Sequence, residues 1–133
     1  MDFKNKVVLI TGASSGIGKQ TAIEFAKLGS NIILVARRKD KLEQVENELK
    51  QFNVTTLICP CDVSKKDQVE IMSKIVLEKF SSIDILVNNA GFAIYGSVLD
   101  LSINDIKSQS VVDALRFFVL EHQSMFYKNC KFT

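Results

Sequence analysis

Residues 11–18 read Thr-Gly-Ala-Ser-Ser-Gly-Ile-Gly, and they join a predicted strand to a predicted helix. The apolar run 7–10 precedes them, and an amphipathic helical pattern follows them. Glycines at such a turn let the backbone approach a phosphate closely, and the new helix offers free N–H groups and the positive end of its dipole. Ser14 and Ser15 add hydroxyl donors at the same place. The stretch therefore predicts a phosphate-binding turn.

The glycine spacing indicates which kind of phosphate is bound. The pattern is G-x-x-x-G-x-G, which is wider at the front than the common dinucleotide fingerprint. Its end, followed by Lys19, resembles a nucleoside-triphosphate loop, which is the rival interpretation. That loop requires a glycine at position 13 and a serine or threonine at position 20. Ala13 and Gln20 stand there instead, and the triphosphate interpretation fails.

Composition limits the protein to one soluble globular domain at most. The chain has 133 residues, of which 47% are hydrophobic and 24% charged, and its net charge is +2. No basic stripe interleaves with aromatic residues, so we expect no nucleic-acid partner. Residues 1–6 are polar and the following apolar run is short, which predicts neither a signal peptide nor a membrane span.

Three cysteines, Cys59, Cys61 and Cys130, form no paired metal-ligand spacing. Cys59-Pro60-Cys61 could be read as redox or metal chemistry, but ordinary reduced thiols at a strand end are the preferred interpretation. We therefore predict no metal site and a cytoplasmic location.

Strand and helix patterns alternate along the chain. The first helix carries Ile17, Thr21, Phe25 and Leu28 on one stripe, a pattern typical of a helix that packs on a core. Alternating strands and helices form right-handed βαβ units, with a parallel sheet covered on both faces. The predicted fold is α/β: a Rossmann-type doubly wound parallel sheet with strand order 3-2-1-4 and the later strands missing. Strands are predicted at 7–10, 31–35, 54–58 and 83–87, and a third helix is predicted to be capped by Ser64.

Three motifs at the ends of successive strands resemble a short-chain dehydrogenase/reductase. They are residues 11–18, Cys-Asp-Val at 61–63 and Asn-Asn-Ala-Gly at 88–91. The family binds NAD or NADP and transfers a hydride between the nicotinamide and an alcohol or carbonyl. The resemblance ends near residue 109. It implies an incomplete NAD(P)-binding Rossmann domain at 1–109 and a divergent apolar tail at 110–133.

The resemblance also implies a set of cofactor-binding residues. The glycine turn would shape the pyrophosphate site, and the segment after the fourth strand would line the floor. Asp62 would accept a hydrogen bond from the adenine amino group, or it would only be a carboxylate at the start of a helix. The implied set is Gly12, Ser14, Ser15, Gly16, Ile17, Gly18, Asp62, Val63, Asn89, Ala90 and Gly91.

The end of the second strand predicts the choice of cofactor. An NAD site places an acidic residue about 20 residues past the glycines, where it binds the ribose 2′-hydroxyl. This chain has Ala36 there, followed by Arg37 and Arg38. A guanidinium pairs with a 2′-phosphate that a carboxylate would repel. We predict NADP rather than NAD, with Arg37 and Arg38 added to the cofactor-binding set.

The family's chemistry uses a tyrosine and a lysine four residues later, together with an upstream serine. Tyr127 and Lys131 have this spacing. Too few residues separate Gly91 from Tyr127 to form the preceding strand, and a helix needs more length than remains after Lys131. We interpret the pair as chance and predict no catalytic residue.

Two functions follow from these patterns. The first is an NADP-dependent oxidoreductase of the short-chain type, truncated and inactive alone. Its tail would be either the product of a frameshift or a genuine ending. The alternative is a non-catalytic nucleotide-binding or interaction module that docks a partner through the tail. An open fourth-strand edge and the apolar tail predict a possible oligomer. A nicotinamide dinucleotide is the predicted ligand, and the substrate and direction of reaction are left open.

Overall fold

A computed structural model describes residues 2–90 and the backbone of residues 131–132. Strands and helices alternate along the first part, as expected for βαβ units. A 3₁₀ turn, Lys50–Phe52, follows the second helix. The elements are β1 (Val7–Thr11), α1 (Gly16–Lys27), β2 (Asn31–Ala36), α2 (Lys39–Leu49), β3 (Thr56–Pro60), α3 (Lys66–Phe80), β4 (Ile85–Val87) and β5 (Lys131–Phe132).

The strands form one parallel sheet in the order β3-β2-β1-β4-β5. The predicted fold class and the order 3-2-1-4 are confirmed. We expected no strand beyond β4, and this part of the prediction needs correction, because Lys131 and Phe132 pair in parallel with Ile85 and Leu86. The free N–H and C=O groups of an edge strand accept any extended segment of suitable direction, which composition does not reveal.

Both faces of the sheet are covered, so the strands read as continuous apolar runs. On one face, α1 and α2 pack against Val8, Ile10, Ile32 and Leu34. On the other face, the residues of α3 pack against the alternate side chains of the same strands, including Leu9, Ile33 and Val35. The core therefore has two layers, and the carboxyl ends of β1 to β4 meet at one edge. None of the helices in the described part of the chain is both long and apolar enough to cross a membrane.

Helix α1 packs differently from the expectation. Its buried residues are the small ones, Gly18, Ala22 and Ala26, whereas Ile17 is 78% exposed and Leu28 53% exposed. Of the predicted stripe of large residues, only Phe25 packs against the core beside these small residues. The reason is close approach: a Cβ atom at Gly18 would overlap the carbonyl oxygen of Gly12, so only small side chains fit between α1 and β1.

Two other boundaries differ from the predicted ones. Strand β3 extends to Pro60, which an edge strand tolerates because its outer N–H groups need no ladder partner. Ser64 does not cap α3, which begins at Lys66 after the extended residue Lys65. The Ser64 hydroxyl donates to Asp62 Oδ1 instead, at 2.6 Å.

Candidate nucleotide-binding site

A cleft of about 350 Å³ opens at the carboxyl ends of the strands. Parallel α/β sheets bind ligands at this edge, where the strand order reverses on either side of β1. Most of the predicted cofactor-binding residues line it, together with Val35, Ala36, Cys61 and Ser64. The predicted residues among the lining are Gly12, Ser14, Ser15, Arg37, Arg38, Asp62, Val63, Asn89 and Ala90.

The turn between β1 and α1 needs its glycines for two physical reasons. Gly12 and Gly16 have φ values of +65° and +56°, which residues other than glycine rarely adopt. A Cβ atom at Gly12 would also lie 2.9 Å from Asn89 Nδ2, and one at Gly18 would overlap the Gly12 carbonyl. The loop is therefore folded tightly against the segment after β4.

The first turn of α1 leaves its backbone N–H groups available. Ser15 occupies the N-cap in an extended conformation, but its side chain forms no capping hydrogen bond, and the first turn contains no acidic residue. The first N–H groups of a helix have no partner within the helix. Gly16, Ile17 and Gly18 supply these groups, which, with the helix dipole, favour an anion.

Thr11 belongs to the site through its hydrogen bonds, although it is absent from the predicted set of cofactor-binding residues. Its side chain is buried, and Oγ1 accepts hydrogen bonds from the backbone N–H groups of Asn89, at 3.0 Å, and Ala90, at 2.9 Å. Asn89 Nδ2 donates to the Gly12 carbonyl at 3.3 Å. Thr11 thereby holds the segment after β4 against the glycine turn. A polar residue ending a buried apolar strand is the signal that could have identified it.

Asp62 is fixed by its neighbours in an ionised state. The Ser64 hydroxyl, donating to Oδ1 at 2.6 Å, lowers the pKa of this carboxyl, as do the Ser64 backbone N–H and the nearby cations of Arg37 and Lys65, against a smaller opposing effect of burial. The Asp62 N–H donates to Gln68 Oε1 at 2.8 Å. Asp62 therefore does organise the start of α3, and it also presents a carboxylate acceptor to the cleft.

Arg37 and Arg38 lie at the end of β2, both exposed. Arg38 is the N-cap of α2, and Arg37 lies near enough to Asp62 to influence its charge. Among residues 2–90, neither guanidinium lies within salt-bridge distance of a carboxylate. Both cations are thus available to an anion at the mouth of the cleft.

Two buried thiols lie at the end of β3, and that of Cys61 lines the cleft. Burial raises the pKa of Cys59 and of Cys61 to about 11, the nearby groups Cys61 and Asp62 respectively adding to the effect. Both cysteines are free and protonated at neutral pH. The part of the chain that the structure describes contains no group of three His, Cys, Asp or Glu side chains placed to hold a metal ion.

Several predicted residues fall elsewhere. Gly91 and Tyr127 lie outside the described residues, as does all of the tail except the two residues of β5. The backbone of Lys131 belongs to β5 rather than to a helix. Asn88, beside the floor of the cleft, has a buried Oδ1 without a hydrogen-bond partner among the described residues.

Comparison with known proteins agrees with this architecture. Residues 6–120 match the family model of the short chain dehydrogenases. An uncharacterised oxidoreductase of Mycobacterium tuberculosis is 43% identical over 106 residues, which are 77% of this chain and 31% of that protein.

Solved structures show the same fold. The L-sorbose reductase of Gluconobacter frateurii, in complex with NADPH and L-sorbose, superposes with a TM-score of 0.83 and 34% identity, over 90% of this chain and 48% of that chain. An alcohol dehydrogenase of Thermococcus sibiricus, in complex with 5-hydroxy-NADP, gives the same two values over 92% of this chain and 53% of that chain.

The chain thus spans about a third of the length of the curated relative and about half of each solved structure. The shared region holds the glycine turn and the first four strands, which carry the motifs at 11–18, 61–63 and 88–91. The earlier resemblance is confirmed: this chain belongs to the short-chain dehydrogenase family.

Proposed function

We propose that this chain supplies the cofactor-binding part of an NADP-dependent oxidoreductase, which transfers a hydride between the nicotinamide and an alcohol or carbonyl. The observation that carries the choice of cofactor is the pair Arg37 and Arg38 at the cleft, following Ala36 where an NAD site has an acid. The NADPH and 5-hydroxy-NADP complexes of the two structural neighbours support the same choice.

The described residues fit each part of such a cofactor. The free N–H groups at the start of α1, with Ser14 and Ser15, would hold the pyrophosphate, and Gly12 and Gly18 leave room for its approach. The ionised Asp62 would accept from the adenine amino group, beside Val63. Arg37 and Arg38 would pair with the 2′-phosphate. Asn89 and Ala90, with Gly91 of the same motif, would form the floor.

Catalysis is the part that this chain does not provide by itself. A bound nicotinamide would supply or accept the hydride, but carbonyl reduction also needs a positioned proton donor, worth roughly 10²–10⁴-fold in rate. We propose that Tyr127 and Lys131 do not fill this role, because too few residues separate Gly91 from Tyr127 to form the strand that precedes such a pair in the family. The chain would be inactive alone, as a truncated form with a cofactor domain at 1–109 and an apolar tail at 110–133.

We also place the protein in the cytoplasm. Cys59 and Cys61 are reduced, buried thiols, and thiols persist in that form in a reducing compartment. We further propose that the chain can form oligomers through the edge of the sheet or through the apolar tail at 110–133.

The test is a titration of the purified chain with NADPH and with NADH, using wild type, Arg37→Ala and the exposed control Lys74→Ala. We expect NADPH to bind more tightly, and Arg37→Ala to weaken NADPH alone by about 1.5–3 kcal/mol, or about 10- to 150-fold. Lys74→Ala lies on α3, away from the cleft, and should change neither affinity.

The same preparations, assayed at 340 nm with aldehydes and ketones, should show no NADPH oxidation. Equal wild-type affinities would contradict NADP selectivity, and turnover that Tyr127→Phe abolishes would contradict the proposed inactivity. Absence of any nucleotide binding would favour the alternative, a non-catalytic interaction module.

A further inference from the structure

The loop that joins β3 to α3 holds Asp62 at its N–H, its carbonyl and its carboxylate. The Asp62 N–H donates to Gln68 Oε1 at 2.8 Å, and the Asp62 carbonyl accepts from the Lys65 N–H at 3.0 Å. The carboxylate accepts from Ser64 twice, through the hydroxyl at 2.6 Å and through the backbone N–H at 3.0 Å. The residues on either side of Asp62 are buried in the core. Both the backbone and the side chain of Asp62 are therefore fixed by the chain itself.

The two oxygens of the Asp62 carboxylate differ in their hydrogen bonds. Both hydrogen bonds from Ser64 end on Oδ1, and no hydrogen bond or ion pair within residues 2–90 ends on Oδ2. Each carboxylate oxygen has two lone pairs, so the two bonds from Ser64 use the acceptor capacity of Oδ1. Asp62 lines the cleft. Oδ2 is therefore the oxygen that can accept a hydrogen bond from a ligand in the cleft.

Gln68 reaches the backbone of Asp62 from the first turn of α3. Lys65 is the N-cap of this helix, and Gln68 is its third residue and half-buried. In a capping box, a glutamine at the third position returns to the N–H of the N-cap residue. Here the side chain reaches three residues further back along the chain, to the N–H of Asp62. Gln68 thereby ties the loop to a helix that packs on the sheet.

Ser64 matters because the last torsion of an aspartate side chain is soft. This torsion has broad minima, so a carboxylate that nothing holds samples many orientations. Ordering such a side chain when a ligand binds lowers the affinity. The two bonds from Ser64 set the orientation of the Asp62 carboxylate in advance.

We propose that Ser64 and Gln68 are positioning residues that make the cleft select adenine: Gln68 fixes the backbone of Asp62, and Ser64 engages Oδ1, which leaves Oδ2 to the base. The inference rests on the proposed function, in which Asp62 accepts from the adenine amino group, and it adds how the base is selected. Adenine carries an amino group, which is a donor, at the position where hypoxanthine carries a carbonyl oxygen, which is an acceptor. A fixed carboxylate pairs with the amino group and repels the carbonyl oxygen. A site built to bind an N–H group rejects an analogue that lacks it.

The test titrates the full 133-residue chain with NADPH and with the NADPH analogue in which hypoxanthine replaces adenine, and follows the fluorescence of the reduced nicotinamide. Ser64→Ala removes the hydroxyl, and Gln68→Leu removes the Oε1 acceptor. Ser64→Thr and Gln68→Glu keep these groups and are the conservative rescue variants. Gln51→Leu is the matched control, because Gln51 is exposed after α2 and does not line the cleft. Circular dichroism verifies that all five variants fold.

Wild type should bind NADPH about tenfold more tightly than the hypoxanthine analogue. Ser64→Ala and Gln68→Leu should each reduce this ratio of affinities to less than about threefold, whereas the rescue variants and Gln51→Leu should keep it. The ratio is the deciding measurement, since a general loosening of the chain would weaken both ligands equally.

A ratio that persists in Ser64→Ala or in Gln68→Leu would overturn the role of that residue. Equal affinities of wild type for the two ligands would overturn base selection, while a preference for NADPH over NADH in the same samples would leave the proposed function intact. A chain that binds neither ligand would overturn this inference together with the proposed function.

Discussion

The two ends of β1 are both linked to β4 by polar groups, but only one end borders the cleft. At the amino end, the Val7 N–H donates to Asp84 Oδ2 at 2.8 Å, and the Asp84 N–H donates to the Val7 carbonyl at 2.9 Å. At the carboxyl end, Thr11 Oγ1 accepts from the N–H groups of Asn89 and Ala90. The same kind of link stabilises two neighbouring strands in one place and shapes a binding site in the other. Burial and bonding alone therefore do not identify functional residues; their position at the carboxyl ends of the strands does.

Glycine substitutions in the turn at the carboxyl end of β1 should have the largest effect on the free energy of unfolding. Gly18→Ala places a Cβ atom on the Gly12 carbonyl and forces α1 away from β1, for which we expect a loss of about 3 kcal/mol, the upper end of ordinary overpacking. Gly16→Ala is the matched control, because a Cβ atom there meets nothing within 4 Å. Its cost is that of a positive φ, about 1 kcal/mol. Urea unfolding measures both, and equal losses would show that the close approach is unimportant.

Substituting the residues that link β1 to the segments flanking β4 tests whether the two ends of β1 differ in function. Asp84→Ala leaves one backbone N–H group without its acceptor and Thr11→Val leaves two, and each substitution should lower the free energy of unfolding by about 1–3 kcal/mol. Only Thr11→Val should also weaken NADPH binding, since it releases the segment at 89–90 that lines the cleft. Unfolding and NADPH titration on the same samples separate the two effects. A similar loss of NADPH affinity in Asp84→Ala would contradict the claim that only the carboxyl end of β1 shapes the binding site.

The smallest expected effect is the pH dependence that Asp62 gives to the free energy of unfolding. Its pKa is lower in the folded chain than in the unfolded chain, where it is about 3.9. The carboxylate therefore adds stability that is complete above the unfolded pKa and is lost as the pH falls through the lowered folded value. The difference in unfolding free energy between wild type and Asp62→Asn should be constant above about pH 5 and shrink as the pH falls below the unfolded pKa. Asp40→Asn, exposed on α2, is the control, and a difference that grows on acidification would contradict the assignment.

Much of the fold was predictable because it depends on local patterns. Buried runs such as 7–10 and 31–35 form strands wherever both faces are covered, and crossover handedness then leaves few strand orders. The motifs at 11–18, 61–63 and 88–91 converge because parallel strands end at one edge. The family to which they point was predictable for the same reason.

The differences between the predicted and the observed structure depend on distances between residues, which a sequence pattern does not contain. Helix α1 buries alanines rather than Ile17 and Leu28, because the spacing between helix and strand is set by the glycine turn. The Ser64 hydroxyl donates to the carboxylate of Asp62, and α3 begins at Lys66, one residue later than a cap at Ser64 would require. Strand β5 pairs residues more than forty positions apart along the chain, which periodicity cannot reveal.

Recognition of the 2′-phosphate by residues of this chain is the central claim, and it can be measured without the nicotinamide. Calorimetric titration with adenosine 2′,5′-bisphosphate and with adenosine 5′-monophosphate compares two ligands that differ only in that phosphate. We expect the bisphosphate to bind at least about tenfold more tightly, and Arg37→Ala to remove most of that difference. Equal affinities, or a preference for the monophosphate, would contradict the account.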